Sequence, residues 1–307
     1  MMRLALIGQQ AFGRAALDAF VNRGDTVAGV FVAPDKPGAK PDPLHARAKE
    51  LGIPVFQFAR YSGEEALSAL RGLEVDLGVM AYVTQFVPQS FVKIPEHGMI
   101  QFHPSLLPAH RGPSSINWPI MLGKRATGLS IFRPVDGLDE GPIVLQKHVP
   151  IGPDDTLGSV YFDRIFPQGI AALLEAADLV LAGRAMEQVQ DENQATYEGW
   201  VQAAEARIAW AQHADITYNL IRACNPQPGA WSMAGEKRLQ IFDARKHVAR
   251  TFGAVKGLKP GQIAAVTAEG FTVHAPGGLI EVLRCRLDDG PKVAGKDAGF
   301  GVGTILT

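Results

Sequence analysis

The chain has 307 residues, 47% of them hydrophobic and 20% charged, with a formal net charge of −1 and a pI near 6.7. This is the composition of a globular protein with one large domain or two ordinary ones. The near-neutral charge gives no overall electrostatic footprint for nucleic acid, and the two local basic clusters, Lys36 with Lys40 and Arg245 to Arg250, are more typical of solvated surface.

Membrane and secretory segments are not expected. No apolar run reaches the roughly 18 residues of a membrane span, and the start MMRLALIGQQAFG becomes small and polar too early for a secretory signal. We therefore expect a cytoplasmic protein with no membrane partner. Cys224 and Cys285 have no CxxC spacing, so free thiols are expected rather than a disulfide or zinc site.

Short apolar runs alternate with amphipathic segments in the first half of the chain. We predict strands at RLALIG, TVAGVFV, IPVFQF, VDLGVMAY and GMIQFH, and helices at FGRAALDAFVNRG, PLHARAKELG and SGEEALSALRGL. This alternation predicts an α/β fold with a doubly wound, mostly parallel sheet. Because such sheets bind ligands beyond the carboxyl ends of their strands, we expect the site in loops 83–88 and 103–113.

The middle of the chain adds an edge and a long helix. A short helix, SSINWPIMLG, precedes two apolar runs, GLSIF and PIVLQKHV, which the loop DGLDEGP joins as a hairpin-like edge. A long helix is expected from about Asp155 to Gly183, kinked or restarted at Pro167. The polar segment MEQVQDENQATYEG is predicted to be a surface linker.

A second unit is expected from about Asp215. After a helix at DITYNLIRAC, the runs RLQIFDA, GQIAAVTA, GFTVHAP and GLIEVLRCRL alternate apolar and polar residues between glycine turns. This pattern predicts a small C-terminal antiparallel β-barrel, similar to an OB fold. We thus predict a catalytic domain at 1–199 and a linker helix with the barrel at 200–307.

His103 and Asp139 are the main candidates for chemistry. Each follows an apolar, strand-like run, GMIQF before His103 and LSIF shortly before the loop of Asp139. An imidazole titrates near neutrality, and a neighbouring carboxylate orients it and stabilises its charged form, so the two would make an acid/base pair. Taken separately, each residue is more typical of a structural or turn position.

The motifs around these two residues resemble a known family. HPSLLP at 103–108, RGPSSINW at 111–118 and GLDEGPIVLQK at 137–147 closely resemble enzymes that use 10-formyltetrahydrofolate: glycinamide ribonucleotide formyltransferase, methionyl-tRNA formyltransferase and the hydrolase domain of 10-formyltetrahydrofolate dehydrogenase. The resemblance implies the formyltransferase fold, a folate-binding catalytic domain and 10-formyltetrahydrofolate as formyl donor. The last two of these enzymes also carry a C-terminal barrel.

The resemblance implies three catalytic positions. The family places its catalytic His in HPSLLP or HASLLP and its Asp in LDxG, which are His103 and Asp139 here. His103 would hold the oxyanion and carry a proton, and Asp139 would pair with it or hold the attacking water or amine. The transferases have Asn two positions before the His, where this chain has Gln101, whose extra methylene moves the amide by about 1 Å or more. Because an oxyanion donor is worth about 10² to 10³ in rate, this difference matters.

The pterin ring of the folate would be recognised by two loops. Backbone groups read its hydrogen-bonding edge while apolar side chains cover its faces. By resemblance, the first loop is Gln85, Phe86 and Val87, the second is Val135, Asp136, Gly137 and Leu138, and the secondary candidates are Ser105, Arg111 and Asn117.

Other cofactors are not expected. GQQAFG, at Gly8 to Gly13, follows a predicted strand but lacks the central glycine of GxGxxG, so NAD(P) binding is weakly supported and tight packing explains Gly8. No HxxxH or carboxylate pattern points to a metal.

Three features of the sequence bear on which molecule accepts the formyl group. The modestly basic loop at 34–44, FPQGI in the long helix and ATYEG at 195–199 are more similar to the hydrolase domain than to the tRNA enzyme. We therefore favour water, giving formate and tetrahydrofolate. Transfer to an amine on methionyl-tRNA, an amino sugar or a small metabolite is the alternative, with tRNA not favoured. An inactive folate-binding regulatory protein is a third hypothesis, and Gln101 is the sole argument for it.

Overall fold

The structure is a computed structural model that describes residues 1–249 and 252–307, so Arg250 of the second basic cluster lies outside the described residues. Among those residues, seven strands form the first sheet: β1 (Arg3–Gly8), β2 (Thr26–Val32), β3 (Val55–Gln57), β4 (Leu77–Ala81), β5 (Met99–His103), β6 (Ala126–Phe132) and β7 (Ile143–Pro150). Their order across the sheet is β3-β2-β1-β4-β5-β6-β7.

The direction of chain winding reverses between β1 and β4. β1 to β5 pair in parallel, and β6 runs antiparallel to β5. The carboxyl ends of β1 and β4 lie side by side, with Gly8 paired to Ala81. A Cβ atom at Gly8 would lie 2.1 Å from the carbonyl oxygen of Ala81, so this approach requires glycine. The doubly wound, mostly parallel sheet is confirmed, and its crevice lies beyond these strand ends.

The helices follow the predicted order, and a short helix at Gln89–Val92 was not predicted. They are α1 (Gln10–Arg23), α2 (Pro43–Glu50), α3 (Glu64–Arg71), α4 (Gln89–Val92), α5 (Asn117–Met121), α6 (Leu157–Val160), α7 (Phe166–Leu181) and α8 (Ala214–Ala223). The predicted helix with a restart near Pro167 is confirmed, since α7 begins at Phe166 after a π-helical turn at Tyr161–Ile165 that separates it from α6. Pro167 stands in the first turn of α7, where its missing N–H leaves no intrahelical bond unmade.

The C-terminal part of the chain forms a second, antiparallel sheet. Its strands are β8 (Ala230–Ala234), β9 (Lys237–Val248), β10 (Ile263–Val266), β11 (Phe271–Ala275), β12 (Gly278–Leu287) and β13 (Val293–Ala294), in the order β10-β11-β12-β9-β8 with β13 beside β12. Met233 and Thr307 exchange backbone hydrogen bonds of 2.7 and 2.9 Å, and the Ile263 amide donates to the Thr304 carbonyl at 2.8 Å. The last residues therefore link β8 to β10, which confirms the predicted barrel-like sheet.

The chain forms two compact units that are each discontinuous in sequence. Unit 1 comprises 1–112, 128–149 and 164–197, and unit 2 comprises 113–127, 150–163 and 198–307. The division into domains at 1–199 and 200–307 stays a prediction. Across the residues that the structure describes, no helix is both long and apolar enough to cross a membrane.

Glu281 on β12 is a buried carboxylate that binds three side chains of unit 2. It accepts hydrogen bonds from His247 Nε2 at 2.8 Å, Thr267 Oγ1 at 2.8 Å and Arg245 Nη1 at 3.1 Å. Burial acts to raise its pKa, but these hydrogen bonds and the charges of His247 and Arg245 outweigh burial and lower the pKa of Glu281 below 4.5. Because the folded pKa is depressed, the stabilisation is complete above the unfolded pKa and is lost as pH falls through the folded value.

We therefore expect Glu281→Gln to lower the free energy of unfolding by about 1 to 2 kcal/mol at pH 7, the typical worth of hydrogen bonds to a charged group. The difference from wild type is expected to shrink as the pH falls through the depressed pKa of Glu281, because protonation removes the same charge that the substitution removes. Urea unfolding at several pH values measures it. Glu269→Gln, at a carboxylate that is 62% exposed, is the matched control, and an equal loss at all pH values would contradict the account.

Candidate active site

His103 and Gln101 lie on one face of β5 at its carboxyl end, because residues two apart in a strand share a face. His103 is 6% exposed, and its Nε2 lies 2.8 Å from the His110 carbonyl oxygen. A carbonyl only accepts, so Nε2 carries the proton and donates, which leaves Nδ1 for other partners. The half-buried amide of Gln101 makes no hydrogen bond to another described residue and is free to bind a ligand.

Asp139 lies beside His103, as the sequence predicted. Its Oδ2 is 3.6 Å from His103 Nδ1 and accepts a hydrogen bond of 2.9 Å from the Gly112 amide. The carboxylate is only 7% exposed. Asp139 Oδ1 has no hydrogen-bond partner among the described residues, so one oxygen is held by the protein and the other is available to a ligand or water.

The backbone at Asp139 is in a conformation that needs support. Its φ of 56° lies in the left-handed region, which is uncommon for residues other than glycine and persists only where the surroundings fix it. Asp139 belongs to the loop of residues 133–142, called here the Asp139 loop. At its base the Arg133 amide donates to the Pro142 carbonyl at 2.9 Å, and a Cβ at Gly141 would lie 1.6 Å from the Arg133 carbonyl oxygen.

Gln190 connects the Asp139 loop to Arg111. Its Nε2 donates to the carbonyls of Asp139 at 2.8 Å and Gly141 at 2.7 Å, on either side of Glu140. Its Oε1 accepts from Arg111 Nε at 3.2 Å and Nη2 at 2.9 Å. Both side chains are at least nine-tenths buried, with Gln190 at 5% and Arg111 at 6% exposure.

Arg111 is anchored by a second, bidentate contact. Its Nη1 and Nη2 donate to the Glu192 carboxylate at 2.9 and 2.7 Å. These hydrogen bonds are the main cause that raises the pKa of Arg111 and lowers the pKa of Glu192. Arg111, a secondary candidate from the sequence, thus acts inside a protein network rather than presenting its charge to solvent.

Thr196 holds the loop that follows His103. Its Oγ1 accepts from the His110 amide at 2.8 Å, its carbonyl accepts from the Arg111 amide at 2.9 Å, and its amide donates to the Pro108 carbonyl at 3.2 Å. Together with Gln190, it ties segment 188–197 to both loops of the site. Most of the segment is exposed, as predicted for a surface linker, but these hydrogen bonds and the burial of Gln190 also make it a support of the site.

Two loops of unit 1 that the sequence analysis assigned to pterin recognition carry exposed apolar side chains. The first follows β4 and the second is the Asp139 loop, and Gln89 Nε2 joins them by donating to the Pro134 carbonyl at 3.0 Å. Exposed apolar residues on the two loops are Tyr82 (47%), Phe86 (67%), Val135 (37%) and Leu138 (54%). Tyr82, with a left-handed φ of 62°, was not predicted from the sequence.

The other predicted folate residues are placed differently. The Gln85 Nε2 group donates to the carbonyls of Phe58 and Ala59, so both of its N–H bonds are used within the protein, and Val87 is 6% exposed. Asp136 is exposed and Gly137 is half-buried on the Asp139 loop. Their role in folate binding stays a prediction.

Ser105 and Asn117 have structural partners. Ser105 is fully buried, and its hydroxyl donates to the Ala109 carbonyl at 2.7 Å, so its proton is used within the loop. Within unit 2, Asn117 Nδ2 donates to the Ala223 carbonyl at 2.8 Å. Over the described part of the chain, no group of three or more His, Cys, Asp or Glu side chains is placed to hold a metal ion.

The fold and the site define an α/β protein with a buried His–Asp pair at the carboxyl edge of a parallel sheet. Residues 2–176 match the formyl transferase family, and residues 201–301 match the formyl transferase C-terminal domain. The chain belongs to the formyl transferase family and is an enzyme of that family, which confirms the resemblance.

Two curated relatives show the range of the family. The chain is 41% identical over 246 residues to the cytosolic 10-formyltetrahydrofolate dehydrogenase of Xenopus tropicalis, covering 78% of this chain but only 27% of that protein. It is 33% identical over 291 residues to the methionyl-tRNA formyltransferase of Marinobacter nauticus, covering 93% of this chain and 92% of that protein.

One solved structure is similar in fold. HypX from Aquifex aeolicus, in complex with tetrahydrofolic acid, superposes with a TM-score of 0.68 at 18% identity, over 96% of this chain and 46% of that chain. At this identity the likeness concerns the fold alone.

Proposed function

We propose that the enzyme cleaves the formyl group from 10-formyltetrahydrofolate, with water as the acceptor. The observation that carries the proposal is the buried pair of His103 and Asp139, 3.6 Å apart, with the uncommitted amide of Gln101 on the same face of β5. The exposed apolar side chains of the two flanking loops support a flat heterocyclic ligand.

The reaction needs a nucleophile, an oxyanion donor and a proton carrier. Water adds to the formyl carbon while Asp139 Oδ1 accepts a hydrogen bond from it and His103 takes up its proton at Nδ1. The carbon–N10 bond then breaks, and the same proton is delivered to N10. The products are formate, tetrahydrofolate and one released proton, which together balance the 10-formyltetrahydrofolate and the water that are consumed.

The contacts of the two ring nitrogens of His103 favour one of the two roles that the sequence analysis assigned to this residue. Nε2 already donates to the His110 carbonyl, and Nδ1 faces Asp139, which favours the proton-carrier role over the oxyanion role. The Gln101 amide takes the oxyanion role in this proposal, since it has no other partner among the described residues. A donor of this kind is worth about 10² to 10³ in rate.

The relatives and the charges support water as the acceptor in this proposal. The relative named for 10-formyltetrahydrofolate matches at 41% identity, against 33% for the tRNA enzyme. The loop at 34–44 offers only Lys36 and Lys40 for phosphate contacts, and a tRNA enzyme needs several such contacts.

Formyl transfer to an amine is the second candidate function. The observation that favours it is the alignment with the methionyl-tRNA formyltransferase, which spans 92% of that protein and so includes the antiparallel unit. An enzyme of this kind would bind its tRNA with an affinity that falls steeply with salt.

The two functions are separated by an acceptor assay. The purified enzyme is incubated with 10-formyltetrahydrofolate alone, then with methionyl-tRNA or an amino sugar, and formate, tetrahydrofolate and formylated amine are measured. We expect slow release of formate and tetrahydrofolate in equal amounts without any amine. Negligible formate alone but rapid, stoichiometric formylation of an amine would replace water as the acceptor, and folate binding without turnover on any acceptor would indicate an inactive regulatory protein.

A further inference from the structure

We propose that Gln190 is a positioning residue of the site, which holds the Asp139 carboxylate in place through the backbone of the Asp139 loop. This inference rests on the proposed function for its kinetic consequences, but its structural part does not. Gln190 touches no reacting atom in this arrangement and acts through the carbonyl groups of Asp139 and Gly141.

The geometry of the amide explains the choice of side chain. One NH₂ group donates both of its hydrogens, to carbonyl oxygens at 2.8 and 2.7 Å, on residues that are two apart in the Asp139 loop. A glutamate in the same place would direct a carboxylate oxygen at two carbonyl oxygens, and a methionine would offer no donor. The glutamine amide combines this pair of donors with the acceptor that Arg111 binds at Oε1.

The backbone conformation of Asp139 explains why such a support is needed. At a φ of 56° the residue pays a steric cost that its neighbours must offset, because an L residue with a Cβ is disfavoured in the left-handed region. The two hydrogen bonds from Gln190 hold the carbonyl groups of Asp139 and Gly141. They thereby fix the local backbone, and with it the direction in which the Asp139 side chain projects.

The anchor of Gln190 is itself rigid. Arg111 is held by the Glu192 carboxylate through two hydrogen bonds, and its backbone is bonded to Thr196. The support therefore reaches Asp139 from the same segment, 188–197, that holds the loop after His103. Without the Gln190 amide, the Asp139 carboxylate is held by the hydrogen bond that its Oδ2 accepts from the Gly112 amide.

The kinetic test compares two substitutions of Gln190 with a matched control. Gln190→Met and Gln190→Glu are expected to lower kcat for formate release by about tenfold or more, with KM within about threefold, because displacing a catalytic group by about 1 Å costs up to about 10² in rate. Gln188→Glu makes the same charge change two positions earlier, on an exposed side chain, and is expected to leave kcat unchanged. In the Asp139→Ala background, Gln190→Met is expected to cause no further loss, since the group that it positions is absent.

An exchange measurement tests the positioning without any activity. The Gly112 amide donates to Asp139 Oδ2, so its hydrogen exchange, followed by NMR, reports whether the carboxylate is in place. We expect Gln190→Met to speed this exchange about tenfold, towards the rate in Asp139→Ala, while the amide of Leu6 in the core of β1 stays protected.

The outcomes separate this inference from the proposed function. Unchanged Gly112 exchange in a folded Gln190→Met protein, or equal losses of kcat with and without Asp139, would overturn the positioning role. A wild-type enzyme that releases no formate would overturn the proposed function instead, and faster Gly112 exchange in Gln190→Met would still support the positioning role.

Discussion

Asp139→Ala and His103→Ala are each expected to lower kcat for formate release by about 10² or more, because acid/base groups contribute about 10² to 10⁴ in the transition state. Folate affinity is expected to stay within about tenfold of wild type, since the two side chains act on the reacting group rather than on the pterin. Formate production under saturating 10-formyltetrahydrofolate measures the first effect, and equilibrium binding of tetrahydrofolate measures the second.

The double variant adds information on the coupling of the pair. Because His103 and Asp139 lie 3.6 Å apart and act as one unit, the combined loss is expected to be far smaller than the product of the single losses. Asp178→Ala, at a carboxylate that is 61% exposed on α7, is the control and is expected to retain full activity. A near wild-type rate in either single variant would refute the catalytic assignment.

Gly141→Ala is the second substitution with a large expected effect. The added Cβ would lie 1.6 Å from the Arg133 carbonyl oxygen, and because that atom is backbone the Asp139 loop must move. We expect a loss of about 1 to 3 kcal/mol in the free energy of unfolding, as for other overpacked sites, and a loss of about 10² in kcat from the displaced carboxylate.

Unfolding by urea and formate release measure the two effects of Gly141→Ala separately. Gly199→Ala places its Cβ in open space and is the control, expected to change the free energy of unfolding by less than about 0.5 kcal/mol. If Gly141→Ala keeps both wild-type stability and wild-type kcat, the close contact at the base of the Asp139 loop is not required.

Much of the fold was predictable because its information is local. The runs that became β1 to β5 are short, apolar and separated by amphipathic helices, and this alternation by itself specifies a parallel sheet. The barrel was predictable for the same reason, although β8 at Ala230–Ala234 was missed. Its sequence AWSMA has no clear alternation, and its pairing depends on β9 and on the last residues of the chain.

Long-range contacts account for the features that the sequence did not predict. Segment 186–199 is polar and has no apolar period, so it predicts a linker, yet Gln190 is buried by contacts with Asp139, Gly141 and Arg111, which are 49 to 79 positions away. The signal that pointed to it was the similarity of ATYEG to the hydrolase domain, which identifies a motif but not its partners. The π-helical turn at Tyr161–Ile165 has no local marker other than the nearby Pro167.

In the candidate site too, some features were predictable from the sequence and others were not. His103 and Asp139 were found because their motifs place them at strand ends, and the sheet brings such ends together. The hydrogen bond from His103 Nε2 to the His110 carbonyl and the left-handed backbone of Asp139 could not be predicted, because each depends on the path of a loop.

The origin of the oxygen in formate tests the central claim most directly. The enzyme is incubated with 10-formyltetrahydrofolate in H₂¹⁸O without any amine, and the isotope content of the formate is measured by mass spectrometry, with His103→Ala as the control for spontaneous hydrolysis. Attack by water on the formyl carbon predicts one ¹⁸O atom per formate and a rate that falls by about 10² or more in the control. Formate production that equals that of His103→Ala would contradict the account.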